Sequence, residues 1–129
     1  MATAGIHQRV PATADQVPYL RAEVLAFCDA HLDLADDVRD GVRLAVTEAC
    51  TNAVLHAYPS GSGDMTVTAR VDDHQLTVEV SDDGVGIQTR PASSGLGLGI
   101  TLMRAIADTL ISDGNGTTVE LRFPLTAGA

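Results

Sequence analysis

The chain has 129 residues, 45% of them hydrophobic, which suits a single domain over 1–129 with its own core. Its formal charge of −9 argues against nucleic acid as a partner, because duplex binding is driven by neutralising phosphates. All eight basic residues are arginine, so a Walker A loop and a eukaryotic-type kinase site, each built around a lysine, are excluded.

Gly5 to Val10 alternates Ile6, Gln8 and Val10 in a short strand pattern, which Pro11-Ala12-Thr13 breaks. Thr13 or Asp15 is placed to cap a helix over Asp15–Leu32, whose apolar stripe is Val17, Leu20, Val24, Phe27, Cys28 and Leu32. A second helix is expected from about Ala35 to His56, with Val38, Val42, Ala45, Val46, Ala49 and Ala53 on one face. Met65–Val71 and Leu76–Val80 read as a hairpin around Asp72-Asp73-His74-Gln75. A third helix is expected from Leu98 to about Asp108, with Leu98, Leu102, Ala105 and Ile106 as its stripe. Leu110–Ser112 is a candidate strand, Asp113–Gly116 a turn, and Thr117–Phe123 the last strand. The order β-α-α-β-β-α-β-β predicts an α+β two-layer sandwich: a mainly antiparallel, mixed sheet covered on one face by three helices.

Cys28 and Cys50 fall inside helical patterns without CxxC spacing and are expected to be reduced core residues. The histidines form no HExxH pair, which speaks against a protein-only zinc site. No apolar run approaches the ~18–20 residues of a membrane crossing, and no secretory leader follows Met1. A cytoplasmic protein without a membrane partner is the expectation.

Three clusters carry the chemistry. Glu48, Asn52 and His56 are spaced i, i+4, i+8 along the second helix. Magnesium takes oxygen donors and usually only one or two protein ligands beside phosphate, which a single Asn oxygen satisfies. Glu48, one turn away, is placed to accept a proton. Taken alone, this stripe is equally a solvated polar face. Asp82, at a strand end before Gly84 and Gly86, can accept a hydrogen bond from the exocyclic amine of adenine, which guanine lacks at that position. Gly95-Leu96-Gly97-Leu98-Gly99 opens the third helix, where unpaired N–H groups favour phosphate oxygens. After Gly116, Thr117 or Thr118 places a hydroxyl beside Asp82, depending on register.

Together the clusters look like the N, G1 and G2 boxes of the GHKL superfamily of gyrase, Hsp90, histidine kinases and MutL. Over nearly its full length the chain resembles the small bacterial anti-sigma factors that are also serine/threonine kinases. Glu48-Ala-Cys-Thr-Asn52-Ala-Val-Leu-His56-Ala-Tyr58, Gly95-Leu-Gly-Leu, Asp108 and Gly116-Thr-Thr-Val carry that likeness. The resemblance implies a GHKL ATP-binding (Bergerat-type) fold that binds ATP or ADP with Mg2+. In it Asn52 holds the metal, Glu48 is the catalytic base and Asp82 reads adenine. Gly84, Gly86, Ile87, Gly95, Leu96, Gly97 and Leu98 wrap the nucleotide, and Arg90, in the segment between the glycine clusters, meets the γ-phosphate. Arg21 falls near an arginine that the family uses on its protein partners. Those partners are a sigma factor and a STAS-domain antagonist phosphorylated on serine or threonine, and a homodimer is implied. The segment Gln88–Ser94 is shorter than in well-known members, so a non-catalytic ATP/ADP-binding regulatory module is the competing reading.

Overall fold

The computed structural model describes residues 4–59, 61–72, 74–85 and 96–125, with backbone alone at 96–98, 113 and 114. The alternating segment at the start forms strand β1, Ala4–Pro11. Helix α1 spans Gln16–His31 and buries Val17, Leu20, Val24, Phe27 and Cys28, as the periodicity predicts, together with Leu25. Neither expected capping side chain caps it. The Thr13 hydroxyl donates to the Asp15 carboxylate, and the Thr13 carbonyl accepts the Gln16 N–H at 3.0 Å. Helix α2, Asp36–Asn52, starts with Asp36 and Asp37 in its first turn, where carboxylates complement the helix dipole. It does not run as α-helix to His56. Ala53–Ala57 forms one π-helical turn instead, a wider i→i+5 geometry.

The hairpin is β2, Asp64–Val71, and β3, Gln75–Asp82, followed after the second glycine cluster by α3, Leu96–Ile106. Strands β4, Asp108–Gly114, and β5, Gly116–Pro124, complete the chain. Strand β4 is longer than its apolar run suggested. Gly114 pairs directly with Gly116, so the expected four-residue turn shrinks to Asn115. The five strands lie in the order β1-β2-β3-β5-β4, and all four ladders are antiparallel.

One sheet face carries Met65, Val67, Ala69, Leu76, Val78, Val80, Val119, Leu121 and Phe123 into a core shared with α1, α2 and Met103 of α3. The predicted stripe of α3 is displaced. Met103 and Ala107 are buried and Ile100 is half-buried, whereas Leu102 and Ala105 are exposed. The helix packs antiparallel on α2, with Gly99 beside Glu48 and Asn52 and Ile106 against Gly41. The opposite sheet face is polar. Arg70 pairs with Glu79 at 3.1 Å and Glu120 at 3.5 Å, and Arg122 pairs with Glu120. Thr77 lies on this face, in register between Arg70 and Arg122, yet is only 2% exposed. Among the described residues no helix is long and apolar enough to cross a membrane.

Candidate functional site

The three sequence clusters meet at one end of the helical layer. Glu48 and Asn52 share a stripe of α2, while the π turn shifts His56 off the regular α-helical spacing. Across from them stands Gly99 of α3. A methyl group there would lie 3.3 Å from Asn52 Oδ1 and 3.5 Å from Glu48 Oε2, so both side chains converge on the first turns of α3. Helix α3 begins two residues before the predicted Leu98, which puts Gly97 and Gly99 inside it and its first N–H groups near Leu96.

The second cluster docks against the end of the first. The Val85 N–H donates to the Ala57 carbonyl at 2.8 Å. Gly84 lies so close that an added Cβ would overlap the Ala57 carbonyl and Cβ, an approach only glycine permits. Asp82 Oδ1 accepts the Gly84 N–H at 3.0 Å, closing the turn on itself. Asp83 is exposed, with Arg9 at 3.8 Å. On its other side the Asp82 main chain abuts Gly116, whose φ of 109° and contact with the Asp82 carbonyl both demand glycine.

Register decides between the two threonines. Asp82 is opposite Thr117, so both point to the helix-covered face, whereas Thr118 pairs with Ser81 on the polar face. Thr117 is 4% exposed. A cleft of about 340 Å³ opens at this sheet end, lined from the polar face by Ser81, Ser112 and Thr118 as well as by Asp82, Asp83, Asn115, Gly116 and Thr117.

Arg21 is half-buried on the flank of α1 and donates to Thr47 Oγ1 of α2 at 3.3 Å. Thr47 in turn donates to the Arg43 carbonyl at 2.7 Å. Gly86, Ile87, Arg90 and Gly95 lie outside the described residues. Leu96, Gly97 and Leu98 are placed by backbone only, in the first turn of α3. Ala57, Gly63 and the Tyr58 hydroxyl join this site through contacts that no local spacing or motif marks.

The donor set fits a magnesium–nucleotide ligand. Asn52 is 7% exposed, and its Nδ2 has no hydrogen-bond partner among the described residues. A buried amide atom without a partner is uncommon and calls for an explanation such as a ligand. Amide oxygen and nitrogen exchange by a flip, so Asn52 can turn its oxygen to a hard cation. Glu48 brings a carboxylate to the same point.

The histidine kinase-like ATPase domain description matches residues 10–123. The chain is 31% identical over 125 residues to an anti-sigma F factor of Clostridium acetobutylicum, covering 86% of this chain and 87% of that one. It is 33% identical over 117 residues to the anti-sigma F factor of Caldanaerobacter subterraneus subsp. tengcongensis, covering 80% and 81%. A crystal structure of the RsbU and RsbW domains of a Mycobacterium tuberculosis protein shares the fold, with a TM-score of 0.73 at 23% identity. That match covers 92% of this chain and 32% of the larger one. The chain belongs to the histidine kinase-like ATPase family, the GHKL superfamily. Within that family it groups with the bacterial anti-sigma factors.

Proposed function

We propose that the chain is an ATP- and magnesium-dependent anti-sigma factor that phosphorylates a serine or threonine of a STAS-domain antagonist and, alternately, sequesters a sigma factor. The relatives named anti-sigma F factor support the regulatory half of this reading. The chemical half rests chiefly on one observation: Glu48 and Asn52 converge on Gly99 at the start of α3, with an Asn52 amide atom buried and unpartnered among the described residues.

In this reading Asn52 holds the magnesium, which would neutralise charge on the phosphates. Glu48, one helical turn away, takes the proton from the attacking hydroxyl. The first N–H groups of α3 receive phosphate oxygens, joined by Gly86, Gly95 and Arg90. Asp82 accepts the adenine amine, and Thr117 supplies a neighbouring hydroxyl at the base end. Arg21, braced on Thr47, offers a guanidinium to a carboxylate of the sigma factor or antagonist.

The test is incubation with γ-labelled ATP, magnesium and STAS-domain proteins encoded nearby. Label on one STAS protein, lost without magnesium, is the expected result. ATP binding with no transfer to any of them would leave a nucleotide-binding regulator, and no ATP binding at all would remove the reading.

A further inference from the structure

The geometry points to Tyr58 as a positioning residue for the adenine-facing turn: its hydroxyl fastens residues 82–85 to the helix that carries Asn52. This rests on the nucleotide reading above and adds to it the device that sets where Asp82 stands relative to Asn52.

The hydroxyl works in both directions. It accepts the Asp83 N–H at 2.9 Å and donates to the Asp64 carbonyl at 2.6 Å. Asp64 is a firm anchor, since it begins β2, pairs with Pro11 of β1 and takes Arg9 Nε on its carboxylate at 3.0 Å. Two residues beyond Asp83, the Val85 N–H reaches the Ala57 carbonyl. Carbonyls in a last helical turn lack partners inside the helix, and the π turn ends with this one bonded to the adenine-facing turn. Consecutive residues Ala57 and Tyr58 therefore grip Val85 and Asp83, while Gly116 backs Asp82 from the other side.

The ring is held as firmly as the hydroxyl. Gly63 lies against it so closely that a Cβ there would run into Cε1 and Cζ. The Gly63 carbonyl also accepts the Ala12 N–H at 2.9 Å, which ties the loop to the end of β1. Burial holds the phenol above its ordinary pKa. The Asp83 N–H bond opposes that shift, and the Asp82, Asp83 and Asp64 charges add to it. Phenylalanine would fill the same space and make neither bond.

The experiment compares wild type and Tyr58→Phe by titration calorimetry with magnesium-ATP, magnesium-GTP and magnesium-tripolyphosphate, which has no base. Losing the tether is expected to weaken ATP about tenfold and to shrink ATP-over-GTP discrimination by a similar factor. Tripolyphosphate affinity should stay at the wild-type value, which general destabilisation of the domain would not spare. Gly63→Ala, which keeps the hydroxyl but crowds the ring, is expected to produce the same split. If wild type prefers ATP and Tyr58→Phe binds it equally well, or loses ATP and tripolyphosphate together, the role of Tyr58 is refuted while the site reading stands. Wild type that binds neither ligand removes both.

Discussion

Replacing Gly84 with alanine probes the contact that joins the turn at residues 82–85, proposed above to face adenine, to the π turn that extends α2. The new methyl group would overlap the main-chain carbonyl of Ala57, which cannot swing aside as a side chain would. The chain has two ways to respond. Keeping the turn in place against the methyl is an overpacking problem, typically ~1–3 kcal/mol. Lifting Gly84 and Val85 away, with the Asp83 N–H still on the Tyr58 hydroxyl, forfeits the Val85–Ala57 hydrogen bond, a net ~1 kcal/mol for a bond whose groups regain water. The second route is cheaper at this surface, so the loss of stability should stay near ~1 kcal/mol, or roughly 3–6 °C in Tm for a domain of this size. Binding should suffer more. A lifted Gly84 draws away the N–H that Asp82 Oδ1 accepts and so reorients that carboxylate, and in the proposed site a misplaced hydrogen bond to the base costs ~1–3 kcal/mol, about ten- to a hundredfold in ATP affinity. Thermal melts without ligand and calorimetric ATP titrations measure the two effects separately. A variant that loses this much Tm yet binds ATP at the wild-type affinity would refute the coupling between Gly84 packing and the position of Asp82.

Asn52→Ala should abolish most magnesium-dependent ATP binding, whereas Glu48→Gln should bind normally and slow transfer by ~10²–10⁴-fold; a wild-type rate for Glu48→Gln in single-turnover assays would leave it a structural residue. Thr117→Val should weaken ATP while Thr118→Val leaves it unchanged, because only Thr117 shares the face of Asp82; the reverse order in the same titration would contradict the register. Burial pushes the Cys28 thiol up from an ordinary 9.0 to about 11 and the Cys50 thiol to about 12, with Asp29 adding to the first shift and Arg21 opposing the second. The unfolded chain therefore sheds these protons first, so their contribution is complete below pH 9 and is lost as pH rises from 9 towards 12. Tm should fall across pH 9–10.5, and Cys50→Ala should flatten part of that fall; an identical slope would show that the thiol plays no part.

The lettering of the three clusters was enough to single out Glu48, Asn52 and Asp82 as candidate donors, because helical spacing and the end of a strand pattern are local properties of the chain. The order of elements was legible for the same reason. Where local periodicity was thin, it misplaced residues. Helix α3 offers apolar residues at Leu96, Leu98, Ile100, Leu102, Met103 and Ile106, which fit more than one stripe. Only its packing on α2, through Gly99 and Gly41, selects the face carrying Met103. The α2 pattern likewise gave no warning that the helix changes pitch after Asn52.

Alternation, helical spacing and motif order, written in residues a few positions apart, determined the order of the strands and helices and singled out the candidate donors. Tertiary structure alone decided which threonine faces the helices, because strand register joins β3 to β5 across more than thirty residues, and a shift of one would exchange Thr117 for Thr118. It also decided how the donors stand to one another. Gly84 under Ala57, Gly116 under Asp82, and the Tyr58 hydroxyl between Asp64 and Asp83 are contacts between distant segments. Such contacts exist only once the sheet and helices have packed, and no periodicity along the chain encodes them.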